Sequence, residues 1–184
     1  MTAFHDRGAL ETAYRQGLRP KYLFFWGHRS RGGLVDKSCL SQWFPSPFEV
    51  DGEVYPTAEH WMMAGKAKLF GDEATRVRIL AARSPGAAKK LGRLVRTFDA
   101  AMWDARSLDI VAQGNVHKFI QNQHLGTFLI GTGKRVLVEA SPQDRIWGIG
   151  LAQSNPHATN PLKWRGENKL GFALMMARAR LPHG

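Results

Sequence analysis

The chain has 184 residues, and its 26 Lys and Arg against 15 Asp and Glu give a formal charge of +11. Hydrophobic residues at 43% and charged residues at 22% exclude general disorder, and the length supports one domain that buries its own core. The lone Cys39 excludes an intramolecular disulfide, no apolar run is long enough to span a membrane, and the charged N-terminus lacks a signal core, so the expected compartment is the cytoplasm.

Residues 1–18 read as a short polar helix with Leu10, Ala13 and Tyr14 on its apolar face, an extension (1–20) ahead of a single domain over 21–184. Lys21 to Trp26 is an aromatic run that reads as a buried strand, leading into a Gly/Arg-rich turn over 27–33. Phe48 to Tyr55 holds Asp51-Gly52 between two alternating segments, a hairpin signal because Asp-Gly tolerates the positive φ of a type I′ turn. Pro56 and Thr57 open a helix that runs to about Phe70 and closes at Gly71; further helices are expected from Asp72 and after Ser84-Pro85. Ser107 is expected to cap a long helix reaching His124, Val136–Glu139 to form a strand, and Asn168–Leu181 a final helix. Helices outnumber strands without alternating regularly with them. The expected class is α+β, mainly α-helical, with a helical core and a small antiparallel hairpin or sheet.

Several motifs fail on inspection. Gly131 to Arg135 lacks the first glycine and the final Ser/Thr of a phosphate loop, and Gly148 to Gln153 lacks the third glycine of a dinucleotide fingerprint. The scattered histidines have no partners at ligand spacing, so no metal and no cofactor is expected. The positive charge points instead to a phosphate-bearing or polyanionic ligand.

The informative stretch is Tyr55 to Ala67. On a helix, Glu59, Met62, Met63 and Lys66 fall on one face. Burying an unpaired carboxylate or ammonium costs several kcal/mol, on the order of 3–5. Either the two charges pair at solvated edges, or the face lines a pocket.

With its flanks, this segment resembles the NADAR superfamily. The likeness is carried by five ordered blocks. They are Phe24-Phe25-Trp26; Leu40 to Phe48 followed by Asp51-Gly52; Pro56 to His60 with Lys66-Ala67; Trp103, Asp144 and Trp147 to Leu151; and Gly166 to Gly171 with Leu174-Met175. The resemblance implies an N-glycosidase that cleaves a ribosyl C–N bond, with Glu59, Trp103 and Asp144 as functional residues and Lys66 as a nucleophile forming a Schiff base. The chemistry fits those types: a carboxylate stabilises an oxocarbenium, a second acid or base serves the leaving group or water, and a desolvated amine captures the anomeric carbon. Trp103 offers a flat face for a base, worth roughly 1–3 kcal/mol. Candidates for substrate binding are Trp26, Gly27, His28, Arg29, Gln42, Trp43, Met63, Trp147, Gly148 and Asn168, with Arg31 beside Arg29 as a phosphate holder.

Each role has a plainer alternative. Glu59 and Lys66 would be a structural pair, Trp103 a core aromatic, Asp144 a turn cap after Ser141-Pro142, Asn168 a loop holder, and the turn arginines solvated. Where superfamily members carry Ser-Asn-Phe and Tyr-Phe-Gln, this chain reads Ser41-Gln42-Trp43 and Trp61-Met62-Met63. Those versions look closer to the branch that removes ADP-ribose from guanine. The expected substrate is therefore ADP-ribosylated guanine in DNA or RNA, with a cognate ADP-ribosyltransferase toxin as a partner and no membrane partner. Two other readings stand beside it: hydrolysis of phosphorylated ribosylamino-pyrimidine intermediates of riboflavin synthesis, and a non-catalytic reader of ADP-ribose or nucleic acid.

Overall fold

Asp6 starts the first helix. Its carboxylate accepts from the Ala9 amide at 2.7 Å, an N-cap, and α1 (Arg7–Arg15) follows. Leu10 is fully buried, and Arg7 donates to the Trp164 and Gly166 carbonyls at 3.0 and 3.2 Å. The N-terminal helix is thus fastened to the body by one apolar anchor and two charge-assisted hydrogen bonds. The computed structural model describes residues 4–30 and 34–182.

Four short strands follow: β1 (Tyr22–Phe25), β2 (Phe48–Val50), β3 (Glu53–Tyr55) and β4 (Val136–Glu139). The hairpin is as expected. Asp51 and Gly52 adopt φ of 53° and 79°, the positive values of a type I′ turn, and β2 pairs antiparallel with β3. The other sheet is parallel: β1 runs beside β4, with Tyr22 opposite Val136 and Phe25 opposite Glu139. A parallel pair needs a long crossover, and here most of the helices supply it.

The helix starts follow their caps. Thr57, Asp72, Ser84 and Asp99 each accept from a first-turn amide and open α2 (Ala58–Leu69), α3 (Glu73–Leu80), α4 (Pro85–Gly92) and α5 (Ala100–Gln121). Ser107 does not cap. It lies buried inside α5, which Asp99 starts earlier by accepting from Met102 N–H at 2.7 Å. The helix also ends before His124. Asn122 breaks it at φ −110° and ψ 80°, and α6 (Gln123–Gly131) begins anew. Asn122 donates to the Pro47 and Lys118 carbonyls there, which favours the break over a continuous helix. The chain closes with α7 (Lys169–Arg180).

α5 is the central element, packed between α2 and α7; β4 lies on α7, and α3 and α4 lie on α2. Val111, Ala112 and Phe119 of α5 and Phe172, Leu174 and Ala177 of α7 are all buried. Each of the larger side chains contributes roughly 1.5–3 kcal/mol on leaving water. Gly92 permits a close approach of α4 to α2: a Cβ there would overlap Met63 Sδ. No helix among the described residues is long and apolar enough to cross a membrane.

Candidate active site

Elements from both ends of the chain converge on a cavity of about 250 Å³. α2 supplies Glu59, Met62, Met63 and Lys66, the face expected from the spacing. Ser41, Gln42 and Trp43 come from the loop before the hairpin, Lys89 and Gly92 from α4, Arg93 from the C-cap of α4, and Trp103 from the first turn of α5. β4 ends at the cavity with Glu139; Asp144, Ile146 and Trp147 follow it, and Leu170 of α7 closes the wall.

Glu59 is 3% exposed, and among the described residues its Oε1 has no hydrogen-bond partner. Burial pushes its carboxyl up to about 7; the Lys89 ammonium and the Trp43 indole pull it down, and Asp144 pushes it up. Glu139 behaves alike. Burial first, then the charges of Asp144 and Glu59, push it up to about 8 against the pull of Lys89. Asp144 is held differently: Ser141 Oγ meets its amide at 3.2 Å, and its Oδ1 accepts from the Ile146 and Trp147 amides at 2.9 and 2.7 Å. The turn-capping role and the cavity position coexist in that one side chain.

Lys66 lies near the other end of the α2 face. No ion pair joins it to Glu59 among the described residues, so the structural-pair alternative does not describe the site. Its Nζ sits 4.0 Å from the Phe98 ring centroid and 5.7 Å from that of Trp103, and burial lowers its pKa. Burial shifts this amine in the direction of its neutral, nucleophilic form, while the two ring faces favour the ammonium.

The loop carrying Gln42 and Trp43 is fastened from beneath. Lys118 of α5 is fully buried, and its Nζ donates to the Cys39 and Ser41 carbonyls at 2.7 and 2.9 Å. Burial pulls that ammonium down to about 7. Gln42 accepts from Asn115 Nδ2 at 2.9 Å, and its backbone carbonyl accepts from the Glu59 amide at 3.0 Å. The same hydrogen bonds that fix the loop therefore also hold the first turn of α2.

The remaining expected residues fall outside the lining. Trp26, 61% exposed, Gly27 and Arg29 follow β1 at the strand end opposite Glu139, and the His28 ring lies 5.6 Å from that of Trp43. Arg31 lies outside the described residues. Gly148 backs the wall, its amide 3.4 Å from Asp144 Oδ1. Asn168 is fully buried, with φ 56°; its Oδ1 accepts from the Glu139 amide at 3.0 Å and its Nδ2 donates to the Leu137 carbonyl at 2.9 Å. Both polar ends are spent on β4, so Asn168 takes the loop-holding role and not ribose contact.

The structure adds lining residues that the sequence reading passed over. Glu139 had a signal: a carboxylate ending an otherwise aliphatic strand and followed directly by a turn. Lys89 and Arg93 had none, because charge on an amphipathic helix does not say which residue faces inward. Among the described residues, no three of His, Cys, Asp or Glu are grouped to hold a metal ion.

The comparisons decide the family. The NADAR domain model matches residues 24–182. The chain belongs to the NADAR family. It is 43% identical over 164 residues to the N-glycosidase R617 of Acanthamoeba polyphaga mimivirus, covering 86% of this chain and 95% of that one. It is also 32% identical over 146 residues to the N-glycosidase YbiA of Escherichia coli, covering 79% of this chain and 81% of that protein. The solved NMR structure of E. coli YbiA superposes with a TM-score of 0.67 at 27% identity, covering 89% of this chain and 86% of that one. The activity class of this NADAR chain is that of an N-glycosidase, a hydrolase of N-glycosyl bonds.

Proposed function

We propose that this NADAR protein removes ADP-ribose from guanine bases of nucleic acid by cleaving the bond between the anomeric carbon and the base. The observation that carries the reading is the convergence of a desolvated amine, Lys66, with the carboxyl groups of Glu59 and Asp144 and the Trp103 ring in one cavity that Lys89 and Arg93 also line. Carboxylates near the anomeric carbon stabilise the positive charge that develops as the base departs. Lys66 Nζ then bonds to that carbon, the sugar ring opens to an iminium, and water releases ADP-ribose and the free amine. Lys89 and Arg93 supply positive charge for the diphosphate, and the +11 chain favours a polyanionic carrier of the modified base.

The cavity volume favours a second reading. About 250 Å³ suits a ribosyl group with one attached moiety better than a whole ADP-ribose. A phosphorylated ribosylamino-pyrimidine is nearer that size, whereas ADP-ribose would have to lay its adenosine end along the rim.

Mass spectrometry separates the two. A guanine-ADP-ribosylated oligonucleotide is incubated with the protein beside the pyrimidine intermediate. Loss of ADP-ribose with the oligonucleotide restored is the expected result, and release of free base from the pyrimidine compound alone overturns the guanine reading. Borohydride added during turnover should trap substrate on wild type and not on Lys66→Ala; equal trapping on both moves the nucleophile to another amine.

A further inference from the structure

Glu139 has no part in the scheme above, yet its backbone is hydrogen-bonded through both its amide and its carbonyl. The amide donates to Asn168 Oδ1 and the carbonyl accepts from the Ile149 amide, both at 3.0 Å, while β1 pairs alongside. Its Oε2 is buried and has no hydrogen-bond partner among the described residues. The charged and titratable groups lining the cavity with it are Glu59 and Lys66 of α2, Lys89 of α4, Arg93 at the C-cap of α4, and Asp144 of the loop following Glu139. Asp144 accepts the Ile146 and Trp147 amides through Oδ1, which holds its carboxyl group in place at the cavity wall. Like charges lining one cavity are costly, so a buried carboxyl beside another is better held as the neutral acid.

We propose that Glu139 is the acid that protonates the departing base, an assignment that rests on the N-glycosidase reading. As the C–N bond breaks, its electron pair goes to the base nitrogen, which takes the proton from the Glu139 carboxyl. The anomeric carbon bonds to the Lys66 amine, which gives a proton to Asp144. Water then hydrolyses that adduct, freeing the sugar and Lys66, and the proton on Asp144 returns to Glu139. Burial and the nearby Asp144 charge push the Glu139 carboxyl up to about 8, which keeps the proton in place at neutral pH.

The test compares two leaving groups. A guanine-linked riboside needs a proton to release its base, whereas a ribosyl pyridinium releases a neutral base without one. Glu139→Gln should lose about 10²–10⁴-fold in kcat on the guanine-linked substrate and change little on the pyridinium. Glu139→Asp, which keeps an acid, should recover part of the guanine-linked rate. In the wild-type protein, kcat/KM should fall on the alkaline side near pH 8 for the guanine-linked substrate only, a measurement that needs no variant. Equal losses on both substrates, no loss on either, or an alkaline fall shared by both overturn the acid role. A wild-type protein inactive on both overturns the guanine substrate proposed above, and the acid role on that substrate with it.

Discussion

Glu59 stands in the first turn of α2, where a helix N-terminus favours negative charge, yet burial wins and raises its pKa. The folded protein therefore holds the Glu59 and Glu139 protons more tightly than the unfolded chain. The stability this provides is fully present below the ordinary carboxyl value of 4.5 and is lost as pH rises through about 7 for Glu59 and about 8 for Glu139. Wild-type melting temperature should fall across that window. Glu59→Gln cannot ionise, so its melting curve should be flatter with pH and its stability should stay within about 2 kcal/mol of wild type. Turnover by the same variant should vanish. A variant that stays active removes Glu59 from the mechanism, and one that melts far below wild type at pH 5 makes the carboxyl structural. The residue types here were readable in advance: a carboxylate and an ammonium on a methionine-rich face mark a pocket wall or a pair. Pairing was excluded only by where the side chains lie.

At the scale of elements, the caps were the most legible feature. Thr57, Asp72 and Ser84 open α2, α3 and α4 where the sequence placed them, because a short polar side chain before an apolar run satisfies orphan first-turn amides. The long helix was misplaced because two residues compete as its cap, Asp99 and Ser107, and Asp99 leaves the buried Ser107 to packing. The contact of α4 with α2 governs the cavity directly. In Gly92→Ala the new Cβ would overlap Met63 Sδ, and that thioether must swing toward the cavity or force the helices apart. The expected result is a loss of about 1–3 kcal/mol in stability by chemical denaturation together with a raised KM. Unchanged KM would mean that Met63 relaxes away from the substrate.

At the scale of the molecule, the parallel pairing of β1 with β4 delivers Glu139 and Asp144 to a helix face formed early in the chain. The charge of +11 acts at this scale too, through a long-range field and not through a contact. On a modified oligonucleotide, kcat/KM should fall steeply as salt rises, since each neutralised phosphate releases counterions. On a small mononucleoside substrate the dependence should be shallow. Equal slopes on the two would remove nucleic-acid docking from the account.

The sequence by itself determined the helical class, the hairpin with its Asp51-Gly52 turn, the cap-led helix starts and the α2 face, because each of these rests on neighbours within a few residues. It also carried the family, through blocks whose order along the chain is more specific than any one of them. The tertiary structure alone decided the rest. The parallel sheet, the buried Lys118 beneath the Gln42 loop, the inward face of α4 and the place of Glu139 beside Asp144 all depend on long-range packing. A side chain's burial and its charged neighbours are set across that packing, and they determine which carboxyl keeps its proton.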